Sequence, residues 1–480
     1  MTTSSPPVDY SRKWYVLLAV SMGTFLATID GSIVNISLPT LVTSFQADFA
    51  LVQWVALAYL LTVTTLMLGI GRLADIYGKK PIYMTGFVVF TIGSALCGVS
   101  SSIHWLIGFR VLQALGAAMT MALGMAIVTE AFPPSERGRA LGLSGTVVSV
   151  GIAVGPTLGG LIVQRLSWHW IFFVNLPIGV LGVWLVARYV PAFQPAGGQR
   201  FDYWGALTLC ISLLSLLVAL TLGQRAGFAD RFVLLLAANW IAFLAVFIFI
   251  ELRVSQPMLD LRLFRSSLFS VSLATGFIIF ICLSGTLLLM PFYAENVLGY
   301  DPQQTGLLMA TVPVALGVIA PLSGSLSDRY GSRPITVAGL GVLVLGFLAV
   351  SSLDAHTTSL GYVLRFLPVG LGVGMFQSPN NSAIMGAAPR DRLGVASGML
   401  AMTRTLGQTT GIAALGALWA GQVFKHAGGL LPGGATSAPI PAQTLALRDT
   451  FVLVSVLIVV ALLFSLWGLA EERRLKRPGL

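Results

Sequence analysis

The chain has 480 residues, of which 56% are hydrophobic and only 10% are charged, and its formal net charge is +10. A soluble globular protein carries about 25% charged residues, so the composition excludes that class. The repeated long apolar segments predict a polytopic membrane protein with helical spans rather than barrel strands. The distribution of the basic residues points to membrane orientation and not to a nucleic-acid partner.

Hydropathy predicts fourteen spanning segments, each near the length that a bilayer requires. They are residues 14–38, 51–71, 82–100, 105–129, 139–163, 169–189, 204–223, 232–252, 268–294, 304–325, 334–353, 359–386, 393–420 and 447–469. An even number of spans places both termini on one side. If that side is the cytoplasm, about 20 Lys and Arg lie on cytoplasmic stretches and five on external loops. This bias predicts a multi-pass protein of the cell membrane with both termini cytoplasmic.

The first segment contains one carboxylate, Asp30. At a rise of about 1.5 Å per residue it lies roughly 24 Å from the start of the segment, which is inside a hydrocarbon core about 30 Å thick. An ionisable residue at that depth is a functional candidate, because it needs a polar cavity or a partner. The alternative is an aspartate at a helix end whose side chain reaches the interface.

A loop sequence occurs twice in the chain. GRLADIYGKKP at 71–81 and GSLSDRYGSRP at 324–334 share their glycines, acid, basic residue and proline in register, 253 residues apart. RVLQALGAAM at 110–119 and RFLPVGLGVGM at 365–375 are a second, similar pair. Parallel repeats of this kind predict a transporter with two six-helix halves. The predicted domains are therefore 1–190, an inserted two-helix hairpin at 191–266, and 267–480.

The duplicated loop resembles the signature of the major facilitator superfamily. The resemblance implies an all-α fold of two six-helix bundles, here with the inserted hairpin, and a loop that acts as a conformational latch between the halves. The residues that match this signature are Gly71, Asp75, Gly78, Lys79, Lys80, Asp328, Arg329 and Arg333. Ser332 replaces one basic residue in the second copy.

The fourth segment contains Arg110 near its outer end, in the same half as Asp30 and at a comparable depth. An arginine inside a membrane is itself costly to leave unpaired, so Arg110 is the expected counter-charge of Asp30. The alternative is that Arg110 only binds backbone carbonyls. Arg365 starts the equivalent segment of the second half, where no acid lies at that depth.

The fifth segment contains GIAVGPTLGG, whose glycines at four-residue spacing predict close helix packing and whose proline predicts a bend. The sequence is similar to the antiporter motif of drug:proton exporters in the superfamily, carried here by Gly151, Gly155, Pro156, Gly159 and Gly160. Resemblance to the 14-helix drug:proton antiporter group extends over essentially the whole chain. In SWHWIFFVNLPIG, at 167–179, His169 stands where the group usually has Arg.

Glu295 is a second candidate for proton coupling, near the external end of the ninth segment, where the family more often has Gln. Residues of the second half that are candidates for substrate contact are Phe292, Tyr293, Gln377, Asn380 and Asn381. Aromatic residues in an apolar helix are more often packing, and that alternative stands beside the functional one. The external stretch 425–444 is either a linker or a substrate lid.

These features predict a proton-coupled exporter of lipophilic, cationic drugs that works by alternating access. The predicted partners are a small-molecule substrate, protons and the lipid bilayer, with no nucleic acid and with the monomer as functional unit. The alternatives are a dedicated exporter of one metabolite, antibiotic or lipid-like molecule, or a transporter-like sensor without coupling. No nucleophile–base pair, metal-ligand spacing or phosphate-binding loop occurs in the sequence, so we predict no enzyme activity, metal or cofactor.

Overall fold

The computed structural model describes residues 10–133, 136–192, 202–254, 264–387, 393–431 and 433–475. Nearly all of these residues are helical, and no strand occurs among them. The all-α fold class predicted from hydropathy is therefore confirmed for the part of the chain that the structure describes.

The described residues form seventeen α-helices. In chain order these are α1 (Lys13–Phe45), α2 (Phe49–Val52), α3 (Trp54–Tyr77), α4 (Lys79–Gly98), α5 (Ile103–Ala131), α6 (Arg137–Arg165), α7 (Trp170–Phe173), α8 (Asn175–Tyr189), α9 (Tyr203–Ala226), α10 (Arg231–Arg253), α11 (Ser267–Phe292), α12 (Pro302–Met309), α13 (Thr311–Tyr330), α14 (Ser332–Val350), α15 (Ser359–Ala387), α16 (Leu393–Ala427) and α17 (Ile440–Leu475). A π turn, Tyr293–Val297, extends α11.

Three of these helices are short and run directly into the next one, so the chain forms fourteen helical rods. Twelve of the rods are long and apolar enough to span a membrane by length and composition. The other two, α6 and α16, have 29 and 35 residues and are rich in glycine, serine and threonine. They pack against α1 and α11 respectively, so they run inside the bundle with the twelve.

The rods match the fourteen predicted segments, and the largest differences are at helix ends. Helix α1 continues through Pro39 to Phe45, beyond the predicted end at residue 38. Helix α17 begins at Ile440 rather than at 447. Both termini of the described chain lie on the same side of the bundle, here called the termini side; the opposite side is called the far side.

Helices α1–α8 are here called the N-terminal half and α11–α17 the C-terminal half. Each half contains the same packing contacts. The Ser32 hydroxyl of α1 donates a hydrogen bond to the Gly151 carbonyl of α6, at 3.2 Å. At the equivalent place the Ser284 hydroxyl of α11 donates to the Gln408 carbonyl of α16, at 3.0 Å. These contacts are what a duplicated half would give, and the division into three domains stays a prediction.

The turns between paired helices are also repeated. Gly78 joins α3 to α4 with φ of 93°, and Gly331 joins α13 to α14 with φ of 92°. Such angles favour glycine, because other residues meet steric conflict there. The two glycines are 253 residues apart, the spacing of the duplicated loop sequence.

The helices α9 and α10 form a hairpin that packs along the side of the molecule against both halves. Helix α9 contacts α3 and α16. Leu209, Phe247 and Met402 form a buried apolar cluster between the hairpin and α16. Most of α10 is exposed, which fits a helix that faces lipid.

The two halves are in contact near the far side. Phe49 packs edge-on against Phe292, with ring centroids 4.9 Å apart, and lies 4.9 Å from the Trp419 ring. Helix α12 lies against α6, where Gly160 contacts the Pro302 carbonyl. The absence of a side chain at Gly160 is what allows this approach between the backbones of the two halves.

The segment between α16 and α17 covers part of this contact. A Cβ on Gly434 would lie 3.3 Å from the Cβ of Asp48, and Ala435 is buried. A small, half-open crevice lies at this contact, lined in part by Phe49 and Phe424. The segment thus packs across the seam between the halves, and its role as linker or lid stays open.

Candidate functional site

Asp30 and Arg110 form an ion pair inside the N-terminal half. The Arg110 Nη1 atom donates a hydrogen bond of 2.5 Å to Asp30 Oδ2. Asp30 has no exposed surface and Arg110 is 1% exposed. Asp30 lies near the middle of α1, which extends to Phe45. The structure thus brings together the two charged residues that the sequence selected.

Two amide side chains complete the coordination of the carboxylate. Gln113 Nε2 donates to Asp30 Oδ1 at 2.7 Å, and Asn175 Nδ2 donates to the same oxygen at 3.1 Å. Both amides also donate to Ser94 Oγ, at 3.2 and 3.1 Å. The Ser94 hydroxyl in turn donates to the Phe172 carbonyl at 2.8 Å. Asp30 is therefore held by residues from two other helices of its own half, α5 and α8, and Ser94 of α4 binds the two amides that hold it.

Arg110 is held at several points besides Asp30. Its Nε atom donates to the Val55 carbonyl at 3.0 Å, and its Nη1 atom donates to Gln113 Oε1 at 2.7 Å. The guanidinium lies 4.2 Å from the centre of the Tyr59 ring, which is cation–π distance. Arg110 thus binds the carboxylate and also a backbone carbonyl, so its contacts are not limited to backbone carbonyls.

All the contacts to Asp30 come from donors, which is the arrangement that an ionised carboxylate requires. A protonated Asp30 would present a hydrogen to one of these donors, and Arg110 would have to move away. The Tyr59 hydroxyl is buried without a hydrogen-bond partner in the described residues, and it lies beside the guanidinium.

The C-terminal half has an apolar version of this site. By the spacing that relates Ser32 to Ser284, the counterpart of Asp30 is Cys282, which is buried. Gly116 packs against α4 as Gly372 packs against α14, so these two glycines are equivalent. Phe366 precedes Gly372 by as many residues as Arg110 precedes Gly116, which makes Phe366 the counterpart of Arg110. Phe366 is 1% exposed. The charged site is therefore confined to one half, as far as the described residues go.

Arg365 does not take the place of Arg110, although it starts the repeated sequence. Its Nε atom donates to Ser352 Oγ and its Nη1 atom to the Gly361 carbonyl, both at 3.0 Å. The repeat contains one extra residue after Arg365, so the register of the two segments differs by one at this point. Arg365 consequently faces the far-side loop rather than the interior of its half.

Sequence reasoning missed Gln113, Asn175, Ser94 and Tyr59. Gln113 follows Arg110 by three residues, so both lie on one face of α5, and this spacing was an available signal. Asn175 is a polar residue in the apolar run WIFFVNLPIG, which was a weaker signal. For Ser94 and Tyr59 no local pattern distinguishes them from ordinary helix residues.

Glu295 lies apart from this site, in the π turn after α11. Its Oε1 atom is buried and has no hydrogen-bond partner within the described part of the chain. The turn is at the far side of the C-terminal half, whereas Asp30 is in the N-terminal half. The two acids that the sequence selected therefore belong to two separate places.

Three of the candidate substrate contacts are packed or hydrogen-bonded within the protein. Phe292 is 1% exposed and lies against Phe49. The Tyr293 hydroxyl donates to the Asp354 carbonyl at 2.6 Å. Asn380 Nδ2 donates to the Ser272 carbonyl at 3.2 Å. These contacts agree with the packing alternative, whereas Gln377 and Asn381 are partly exposed.

The far-side turn that receives Tyr293 is itself well ordered by hydrogen bonds. The Thr357 hydroxyl and the His356 backbone amide donate to the Asp354 carboxylate, at 2.9 and 3.0 Å, and they hold the pKa of Asp354 below its ordinary value. Tyr293 is thus a tie between α11 and this turn.

The glycine motif of α6 lies between two neighbours. Gly155 contacts the Ser32 hydroxyl, and a Cβ on Gly151 would lie 2.7 Å from Thr28 Oγ1. A Cβ on Gly159 would lie 2.5 Å from Ile36. Pro156 and Gly160 contact α12 of the other half. The motif therefore fixes α6 to α1 and also forms part of the contact between the halves.

Three basic residues of the duplicated loop bind within their own halves. Lys79 forms an ion pair with Glu130, and Lys80 Nζ donates to the Ala187 carbonyl at 3.0 Å. Arg333 Nε lies 2.8 Å from Glu472 Oε2. The side chain of Arg329 is exposed. Gly71 and the carboxylates of Asp75 and Asp328 lie outside the described side chains, so the latch stays a prediction.

His169 does not join the Asp30 site, although Asn175 in the same sequence does. Its ring stacks on Trp168 with centroids 3.8 Å apart, and its Nδ1 atom lies 3.3 Å from Ser167 Oγ. The substitution of His for the family's usual Arg therefore changes the start of α7 and not the direct contacts of Asp30.

A helical bundle of fourteen rods, with two similarly packed halves and a buried ion pair in one of them, defines a membrane transport protein. The family profile described as Major Facilitator Superfamily matches residues 20–412. The chain belongs to this superfamily. The bacterial homologue of the human lysosomal transporter Spinster, in its inward-facing and unoccupied conformation, has the same fold: the TM-score is 0.68 at 18% identity, covering 99% of this chain and 100% of that one.

Two curated relatives are similar over most of their length. The chain is 36% identical to the Multidrug resistance protein Stp of Mycobacterium tuberculosis (strain CDC 1551 / Oshkosh), over 84% of this chain and 75% of that protein. It is 35% identical to the Riboflavin transporter RibZ of Clostridioides difficile (strain 630), over 84% of this chain and 87% of that protein. Neither name is transferred to this chain by the similarity alone.

Proposed function

We propose that the protein is a proton-coupled exporter of lipophilic small molecules that works by alternating access. The observation that carries the proposal is the buried Asp30–Arg110 pair, which occurs in the N-terminal half and is replaced by Cys282 and Phe366 in the other. A buried ion pair is not needed for stability, because apolar residues of similar volume often serve as well. Its presence in only one half supports a role in coupling.

In the proposed cycle, a proton and Arg110 compete for Asp30. When the site opens toward the outside, a proton binds Asp30 and releases Arg110 together with Gln113 and Asn175. When it opens toward the cytoplasm, the proton leaves and the ion pair forms again. Because these residues belong to α1, α5 and α8, the change alters the packing of the N-terminal half, and the halves rock about their seam.

The charge of the substrate does not follow from Asp30. All the close contacts of its carboxylate are with Arg110, Gln113 and Asn175, and Asp30 has no exposed surface. A cationic drug would reach Asp30 only in another conformation. The proposed substrate is therefore lipophilic, and its charge is recognised by residues other than Asp30.

The breadth of the substrate range has two candidate answers. Relatives named multidrug resistance protein support a broad range, and multidrug export is our proposal. A relative named riboflavin transporter, of which the chain covers 87%, favours the second candidate, a dedicated exporter of one metabolite. A resistance profile of cells that express the protein, measured with structurally unrelated toxic compounds, separates the two.

Coupling is tested with the purified protein in proteoliposomes and a lipophilic fluorescent dye. When a protein molecule inserts with its cytoplasmic face outward, the vesicle lumen corresponds to the outside of the cell. The lumen is therefore made acidic. We expect dye accumulation that requires the pH gradient and stops when an ionophore collapses it. Equal dye movement with and without the gradient would show an uncoupled facilitator and contradict the proposal.

A further inference from the structure

Four polar side chains of the C-terminal half have no partner in the part of the chain that the structure describes. Arg404 and Gln408 lie one turn apart on α16, and Gln377 and Asn381 lie one turn apart on α15. The guanidinium of Arg404 lies 5.5 Å from the centre of the Phe280 ring, and no acid pairs with it among the described residues. None of these residues belongs to the Asp30 site.

The position of Arg404 on α16 directs it into the molecule. Met402 packs in the cluster with the α9–α10 hairpin, and Leu406 lies against the same cluster. At about 100° per residue, Arg404 is on the opposite face of the helix from both. Gly407, three residues on, packs against Phe280 and the Phe277 carbonyl of α11. Arg404 therefore points toward α11 and the interior rather than toward the hairpin.

Gln377 of α15 reaches the level of Arg404, and Asn381 lies one turn nearer the termini side. Asn380 donates to the Ser272 carbonyl, and its amide nitrogen would lie 3.4 Å from a Cβ on Gly276. Helices α11 and α15 run in opposite directions. A residue one turn before Asn380 on α15 therefore lies beside the turn of α11 that follows Gly276. Gln377 consequently lies near the level of Phe280, where Arg404 also lies.

The electrostatics of the two halves differ at this depth. Arg110 is neutralised by Asp30, whereas the described residues place the Phe280 ring and no acid beside Arg404. An arginine inside the membrane is costly unless it faces a polar cavity or a ligand. Its planar fork of five N–H donors matches a carboxylate, and the amides of Gln and Asn add further donors.

We propose that Arg404, with Gln408, Gln377 and Asn381, forms a subsite for an acidic or carbonyl-rich end of a lipophilic substrate, whose apolar part packs against Phe280. This inference rests on the proposed function, because it names the substrate class of that transporter. It assigns charge recognition to the C-terminal half and proton coupling to the N-terminal half. The preferred substrates are then lipophilic acids or neutral compounds rich in carbonyl oxygen, rather than cations.

The test uses three probes with one apolar body and different charge: 1-pyrenebutyrate, its neutral primary amide, and 4-(1-pyrenyl)butylamine. Binding to the full-length protein in lipid nanodiscs is measured by equilibrium dialysis, with protein-free nanodiscs as blank. We expect the carboxylate to bind at least about tenfold more tightly than the amine, as charge-assisted hydrogen bonds predict. Arg404→Gln removes this preference and changes the affinity for the amide much less.

The matched control is Arg365→Gln, because Arg365 has its own partners, Ser352 and Gly361, on the far side. It keeps the preference for the carboxylate. Arg404→Lys keeps the charge but not the fork, so it retains an intermediate preference and serves if Arg404→Gln does not fold. Wild-type protein without charge preference, or an Arg404→Gln variant that weakens all three probes equally, would overturn the subsite. Because binding needs no pH gradient, the subsite and proton coupling can fail independently of each other.

Discussion

At the scale of single residues, the charged groups of Asp30 and Arg110 are fully hydrogen-bonded, but each depends on the other for charge compensation. Each oxygen of the carboxylate accepts a hydrogen bond, and the guanidinium binds a carbonyl and an amide besides. In a buried setting, the loss of one charged partner is much more harmful than the loss of both, because a single charge is left without compensation. A comparison of single and double variants therefore shows whether the ion pair is needed for folding or for transport.

We expect Arg110→Gln to lower the stability of the protein by about 3–5 kcal/mol, because Asp30 stays buried without its counter-charge. The double variant Asp30→Asn/Arg110→Gln should regain much of that stability and still lack coupled transport. Thermal unfolding in detergent measures the first effect, and dye accumulation measures the second. Losses of stability that simply add in the double variant would contradict a direct pair. Arg365→Gln is the matched control.

The sequence was informative about this site where charge was involved. Asp30 and Arg110 were identified because a charge in an apolar segment is rare. Gln113 and Asn175 were missed because a single amide in a helix is common, and only the fold shows that both point to one carboxylate. The repeated arginine at 365 was not equivalent to Arg110, since a shift of one residue turns its side chain by about 100° around the helix.

At the scale of helices, glycine contacts determine how the rods pair. Helix α6 approaches α1 at Gly151, Gly155 and Gly159, and α16 approaches α11 at Gly407 and Gly411. A larger residue at these places would separate helices whose backbones now almost touch. Since α1 carries Asp30, the distance between α1 and α6 also affects the geometry of the ion pair.

Gly155→Ala should destabilise the protein by about 1–3 kcal/mol, because the new methyl group would overlap the Ser32 hydroxyl. The matched control is Gly108→Ala in α5, where no atom lies within 4 Å of the added Cβ. The control should be neutral or slightly stabilising, since alanine is the better helix former by about 0.8–1 kcal/mol. Thermal unfolding of both variants measures the difference in stability. Equal unfolding temperatures would contradict close packing at Gly155.

The existence of the fourteen rods followed from hydropathy, and their finer form did not. Short interruptions at Gln53, Val174 and Ala310 divide three spans into two helices each. Pro177 and Pro313 follow the last residues of α7 and α12 by four positions, and each lacks the N–H that would continue the helix across the interruption. No proline or glycine marks the interruption at Gln53. Conversely, Pro39 does not end α1, which continues to Phe45, because a proline can be accommodated in a helix that continues to pack.

At the scale of the whole molecule, the described contacts between the halves include a far-side cluster around Phe49, Phe292 and Trp419. The segment with Gly434 covers this cluster and touches Asp48 of the other half. Alternating access requires such contacts to separate in each cycle. A link across the seam should therefore stop transport without changing the Asp30 site.

A disulfide between Asp48→Cys and Gly434→Cys tests this requirement. The two Cβ atoms would lie 3.3 Å apart, close to the range of about 3.5–4.5 Å found in disulfides. Because Gly434 has φ of 77°, a side chain there is strained, and the single variant Gly434→Cys is the control for that strain. We expect oxidation to abolish dye transport and a reductant to restore it, whereas each single-cysteine variant transports under both conditions. Full transport by the oxidised, cross-linked protein would contradict opening at this seam.

The central claim is that Asp30 carries the transported proton, and Asp30→Asn in proteoliposomes tests it most directly. Asparagine keeps the shape of the side chain but cannot exchange a proton at the pH of the assay. We expect the variant to lose dye accumulation driven by a pH gradient while it still exchanges dye across vesicles without a gradient. Asp449→Asn, at the far-side contact with His426, is the control and should accumulate dye normally. Full gradient-driven accumulation by Asp30→Asn would contradict the account.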